Sequence, residues 1–312
     1  MPADGKWIAG LAAETPLGKA ARRVFAARLA AVVKHWRPAV EQPIKTENVH
    51  QLRVATRRAA AALDIFGDLL PKKRYRRLRK KLHQLRDGAG AARDWDVFQI
   101  ALFGWMTGRP DRERPGLDFL TGFAIAQRQS VQIGLNRTLR FQSQWGRLSQ
   151  KTQRAIPKTK KITLDCRARK EIGRLVRELS TAAAYEPMDD AHLHQVRIAG
   201  KKLRYALEIF VGCFGTKMRD TVYPCVEDLQ EILGRANDSR VTIDRLKEMR
   251  KALRKAQSVI WRRVRPGVLA WVVEHRRRLE SERDNFRQWR KTWNQKTPGI
   301  NQILSGTTNG CR

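Results

Sequence analysis

Apolar residues recur at three- and four-residue spacing along almost the whole chain, and stretches that alternate apolar with polar are nearly absent. This periodicity predicts helices over 17–36, 45–66, 72–89, 95–107 and 117–140. A second set follows over 164–184, 189–212, 217–233, 239–257 and 261–293. Pro38, Pro43, Pro71, Pro110 and Pro115 mark the breaks in the first set, since proline starts or ends helices. Residues 141–160 read as a polar, basic connector, and 294–312, with their Thr, Asn and Gly, as a flexible tail. The fold class is all-α.

The two sets are copies. His50-Gln-Leu-Arg-Val-Ala-Thr-Arg-Arg leads to Leu63-Asp-Ile-Phe66, and His194-Gln-Val-Arg-Ile-Ala-Gly-Lys-Lys leads to Leu207-Glu-Ile-Phe210, each position displaced by 144. The same offset aligns Leu85, Gly90, Ala92, Asp94 and Val97 with Leu229, Gly234, Ala236, Asp238 and Val241, and Pro43 with Pro187. A tandem duplication explains both blocks at once, and a pseudo-two-fold arrangement is the simplest way to pack its halves.

At about 100° per residue, His50, Arg53 and Arg57 fall within about 60° of one another, with Arg58 just beyond. Leu52, Ala55, Ala59, Ala62, Leu63 and Phe66 take the opposite, core-facing side. In the copy, His194, Arg197, Lys201 and Arg204 share one side with Lys202 next to them. Two such stripes facing each other across an axis would line one groove, where guanidinium forks suit phosphate oxygens. A merely solvated face would need no fixed spacing. The helix over 72–86 adds nine Lys or Arg. Arg76, Arg79 and Lys80 are assigned to the same groove. Its counterpart carries Asp220, Glu227, Asp228 and Glu231, so the positive potential should lean toward the first half. Asp94 and Asp238 each precede an apolar-periodic run, the place for a helix N-cap or for an ion pair that orients a groove arginine.

Composition narrows the partner. Of 312 residues, 64 are Lys or Arg against 30 Asp or Glu, a formal charge of +34, while 42% are apolar. A folded body of this charge calls for a polyanion: nucleic acid, an anionic membrane surface or polyphosphate. Small neutral substrates become poor candidates. The four cysteines show no CxxC and read as reduced thiols. No run approaches the roughly 18 apolar residues of a membrane span. Trp7–Ala13, broken by Gly10, is too poor for a signal peptide, so the reading places the protein in the cytoplasm. No carboxylate or second imidazole stands where His50 or His194 would need a co-ligand, and His192 lies about 200° from His194. No metal, cofactor or catalytic residue is assigned.

The paired motifs, His50 to Arg58 with Gly90-Ala-Ala-Arg-Asp-Trp-Asp-Val97, and His194 to Tyr205 with Leu233-Gly-Arg-Ala-Asn-Asp238, resemble the CHAD family of histidine-bearing α-helical domains. The resemblance covers about residues 17–290, in halves of about 17–140 and 164–290. It implies two four-helix bundles related by a pseudo-two-fold axis, with a basic central pore. It further implies inorganic polyphosphate as ligand and frequent association with polyphosphate granules. By motif position, His50, Arg53, Arg57, Arg58, His194, Arg197, Lys201, Lys202 and Arg204 would face that pore. Family members often follow a triphosphate-processing tunnel domain bearing ExExK; here only Glu280-Ser-Glu282 occurs, without the lysine. The expectation is therefore non-enzymatic polyphosphate binding. Nucleic-acid binding through the same basic surface is the alternative. The nine tryptophans are scattered away from the basic stripes, and a phosphohydrolase or kinase would need carboxylates holding Mg²⁺ or a P-loop.

Overall fold

The computed structural model describes residues 5–158, 162–185 and 189–305, so Pro187 and the end of the chain after Ser305 lie outside the described residues. Within them the structure is all-α. Helices α1 (Leu17–Glu41), α2 (Thr46–Phe66), α3 (Lys72–Met106), α4 (Arg114–Asn136) and α5 (Gln142–Arg154) build the first half. Helices α6 (Leu164–Ala184), α7 (Asp190–Phe210), the single turn α8 (Gly215–Lys217), α9 (Tyr223–Ala256) and α10 (Ser258–Ser305) build the second.

In the first half α1 packs on α2, α2 on α3 and α3 on α4; in the second α6 packs on α7, α7 on α9 and α9 on α10. Each helix also touches its copy: α1 meets α6, α2 meets α7, α3 meets α9, and α4 meets α10. The α2–α7 contact is marked by Phe66 and Phe210, which occupy the same repeat position, are both fully buried and meet edge to face at 6.2 Å between ring centroids. One apolar core runs from Leu17 through Phe25, Phe66 and Phe210 to Trp293, so both halves share it. A second core joins Trp95, Phe98 and Leu120 to Trp261 and Trp271 where α3 and α4 meet α9 and α10.

Several sequence expectations change. The breaks at 90–94 and 234–238 do not occur; α3 and α9 run straight through them. Glycine in a helix costs about 1 kcal/mol but does not end it, and buried Ala89, Ala92 and Trp95 hold α3 in line. Asp94 and Asp238 are therefore mid-helix and cap nothing. Pro38 lies inside α1 near its end, and Pro115 sits in the first turn of α4, where its missing N–H has no partner to lose. The connector contains α5, whose Trp145 and Leu148 are buried, Trp145 donating to the Leu29 carbonyl at 3.3 Å. Helix α10 continues past Trp293 to Ser305 with Ile300 buried.

The crossing of α4 over α10 depends on two glycines. A Cβ at Gly267 would lie 2.2 Å from the Glu113 carbonyl oxygen, and one at Gly116 would lie 2.3 Å from the Val264 carbonyl oxygen. Gly267→Val should cost about 1–3 kcal/mol by forcing the backbones apart. Gly104, on exposed helix with nothing within 4 Å of a Cβ, is the control. Gly104→Ala should stabilise by about 0.5–1 kcal/mol. Chemical denaturation of both variants checks the pair, and equal effects would contradict the close approach.

Candidate functional site: a half-buried cation cluster between α2 and α7

The amphipathic periods of α2 and α7 turn their alanine- and leucine-rich faces into the core, which leaves the basic stripes on the side where the helices meet. Arg53 and Arg57 of α2 and Arg197 and Lys201 of α7 come together there. Burial is the main reason that the Arg57 guanidinium is held down to about 10, followed by the charge of Arg53. Lys201 is pushed further, to about 6, first by burial and then by Arg197, Arg57, Arg53 and Arg204. Every charge named for Lys201 is positive. Arg197 is lowered by burial too, against the pull of Asp238.

Two aspartates stand behind the cluster. Arg53 Nη1 donates to Asp94 Oδ1 at 2.8 Å, while Asp238, its copy, accepts from Asn237 and reaches Arg197 only through its charge. Asp94 is thus the orienting ion pair that one sequence reading allowed, and among the described residues Asp238 makes no such bond. The Nε–H groups of Arg53 and Arg197, again one repeat apart, are buried and find no acceptor among the described residues. Arg57 hydrogen-bonds the Tyr205 hydroxyl. His50 and His194 flank the cluster. Burial, then the nearest arginine (Arg93 for His50, Arg197 for His194), sets both imidazoles below their ordinary value, which favours the neutral form. A neutral imidazole can still donate one hydrogen bond to phosphate.

The remaining candidates lie elsewhere. Arg58 turns away from the cluster: its Nε donates to Glu208 Oε2 at 2.7 Å and its Nη2 to Glu208 Oε1 at 3.2 Å. Glu208 is 0% exposed. It also takes the Tyr223 hydroxyl at 3.1 Å and has Arg28 at 3.5 Å and Arg204 at 3.9 Å. Arg58 and Arg204 therefore serve a buried latch between the halves. Lys202, the copy of Arg58, sits 3.6 Å from Glu178 on exposed surface and within electrostatic reach of Asp64, the copy of Glu208. Arg76, Arg79 and Lys80 line a separate cavity that none of the central cations borders. The latch was missed in the sequence, although the acid at position 208, on the same helical face as the stripe, signalled it.

Among the described residues no three His, Cys, Asp or Glu side chains gather as metal ligands would. Apart from Trp7 and Trp105, the tryptophans are buried in the cores, with Trp36 donating to Thr138 and Trp293 to Ser180. They present no stacking platform beside the cations. Among the described residues no helix is long and apolar enough to cross a membrane.

A family model described as the CHAD domain matches residues 23–247. The chain belongs to the CHAD family. Its fold is similar to the crystal structure of the CHAD domain from the plant Ricinus communis, with a TM-score of 0.70, 25% identity, and 90% of this chain and 95% of that one covered. PptA from Streptomyces chartreusis shares the fold at a TM-score of 0.59 and 17% identity, with 88% of this chain and 99% of that one covered. No curated protein matches the chain. Within this CHAD domain, the α2 histidine-arginine motif and its α7 copy are the segments that meet at the cation cluster.

The latch and its open copy make a contrasting pair. Glu208→Ala should destabilise by about 3–5 kcal/mol, because it leaves Arg28 and Arg58 buried without a carboxylate. Asp64→Ala, at an exposed position, should stay within about 0.5 kcal/mol of the parent. Equal losses on denaturant titration would contradict the latch.

Proposed function

We propose that this CHAD domain binds inorganic polyphosphate, without turning it over, in the groove between α2 and α7. Arg53, Arg57, Arg197 and Lys201 contact the chain, with His50 and His194 at its margin. The two halves are two four-helix bundles related by a pseudo-two-fold axis, α1–α4 against α6, α7, α9 and α10, and the groove lies on that axis. The contact of every helix with its own copy supports this arrangement.

The observation that carries the reading is the crowding of Lys201. Burial and four surrounding arginines hold Lys201 down to about 6, and an anion placed beside it would restore its proton. A linear phosphate polymer bears about one charge per phosphate and no bases, so it needs closely spaced cations and no aromatic platform. The buried tryptophans favour it over nucleic acid for the same reason. Hydrolysis would call for carboxylates able to hold Mg²⁺ facing the cations; Asp94 instead bonds Arg53, and Asp238 is set against the charge of Arg197. In cells such a binder would collect on polyphosphate granules.

Two outcomes test this. Arg53→Ala combined with Arg197→Ala should weaken polyphosphate binding by well over tenfold with helicity intact by circular dichroism, since charge-assisted contacts contribute about 1.5–3 kcal/mol each. Unchanged affinity would refute the assignment.

Lys201 supplies a pH signature. Free, it titrates near 6; beside phosphate it returns toward the ordinary lysine value. Binding at pH 7.5 should therefore take up about one proton, and affinity should fall as pH rises above 6. The sign for stability is opposite. Below pH 6 folded and unfolded chains both carry the proton and the folded state bears the full repulsion; from 6 toward 10.5 only the unfolded lysine holds it, so stability rises with pH. Lys201→Met should abolish the proton uptake, weaken binding and raise the melting temperature at pH 6. Calorimetry in buffers of different ionisation enthalpy measures the uptake, and none in the parent protein would contradict the mechanism.

A further inference from the structure

A cavity of about 1170 Å³ opens between the end of α2 and the start of α3. Its floor is apolar, formed by Leu70, Pro71 and the Tyr75 ring. Arg76, Arg79 and Lys80 stand on its rim, all exposed, and Asp64 and Asp68 close its inner edge.

Its meaning comes from the other half. Displacing the cavity wall by one repeat leads to a place that is filled, and the filling is the chain's own Gly5–Leu11 segment. Asp64 becomes Glu208, whose partner Arg28 donates to the carbonyls of Gly5 and Lys6. At Gly212, the copy of Asp68, a Cβ would lie 2.2 Å from the Leu11 carbonyl oxygen. Tyr75 becomes Arg219, whose guanidinium lies 5.7 Å from the Trp7 ring centre. Arg79 becomes Tyr223, against which Trp7 packs at 4.8 Å between ring centroids. His83 becomes Glu227, which takes the Lys6 ammonium at 3.1 Å. In the second half a bent segment carrying Trp7, with glycines at positive φ at positions 5 and 10, occupies the site, and its Lys6 answers the acidic start of α9.

The first-half cavity is built at the same repeat positions but lacks the acidic wall. Where Asp220, Glu227 and Asp228 stand in one half, Arg76, His83 and Gln84 stand in the other. A bare phosphate polymer would match the rim but waste the apolar floor. A short peptide uses both: an aromatic side chain packs on the Tyr75 ring, and acidic neighbours meet the basic rim.

We propose that this cavity docks a short segment of a partner protein, aromatic at its centre and acidic on either side. The CHAD domain would then carry a peptide site beside, and independent of, the cation cluster. Such a site would let it recruit a partner protein while the groove is occupied.

The probe is a fluorophore-labelled, acetylated and amidated Asp-Glu-Trp-Glu-Asp peptide, followed by anisotropy against the full chain. Saturable binding is expected, weakened about tenfold or more by Arg76→Glu with Arg79→Glu and unaffected by Arg53→Ala with Arg197→Ala. Both substituted rim positions are exposed, and circular dichroism checks that the variant folds; Lys80→Glu alone, expected to weaken binding severalfold, serves as the second variant. Saturating polyphosphate should leave the peptide bound. Three results would overturn the proposal: no saturable binding, equal binding of the peptide with alanine in place of tryptophan, or displacement by polyphosphate. The last would make the cavity an extension of the anion groove.

Discussion

Everything in this protein depends on holding two basic helices side by side. Helices α2 and α7 bring Arg53, Arg57, Arg197 and Lys201 together, and burial with the neighbouring arginines holds Lys201 down to about 6. The Phe66–Phe210 contact joins the helices on the core side. The Arg58–Glu208 latch, the brace from Asp94, and the glycine crossing of α4 over α10 share that task. The site is thus a crowd of cations in a well-braced frame.

The two sequence copies match in their apolar positions and differ in charge. Arg58–Glu208 is buried and bidentate, while its copy, Lys202 with Asp64, is loose and exposed. Glu208 lies under the Gly5–Leu11 segment, and Asp64 borders an open cavity. The acidic start of α9 meets the Gly5–Leu11 segment, and the basic start of α3 borders the open cavity. The helix itself registers the difference, since a π-helical turn at Met218–Val222 precedes α9, whereas α3 is regular from Lys72.

Much of this was legible in the sequence because the repeat reports on itself. The offset of 144 carries the helices, the matching stripes and the pairing of Asp94 with Asp238. What failed was local: Gly90 and Gly234 looked like breaks, but helical glycine is only mildly costly when alanines around it are buried. Helix α5 was hidden because just Trp145, Leu148 and Thr152 of its residues are buried in an otherwise polar run. The division of the basic residues into cluster, latch and cavity could not be read at all. Arg57 and Arg58 are neighbours in sequence, and one residue of helical rotation sends one to Tyr205 and the other to Glu208. Only the packing of α7 against α2 decides that difference.

The most direct measurement is a titration of the full chain with long-chain polyphosphate at physiological salt, with RNA and DNA of matched charge as competitors. If the cation cluster is built for a bare phosphate chain, binding is tight and excess nucleic acid does not displace it. If all three polyanions compete equally, the net charge of +34 alone attracts them and the cluster has no ligand of its own.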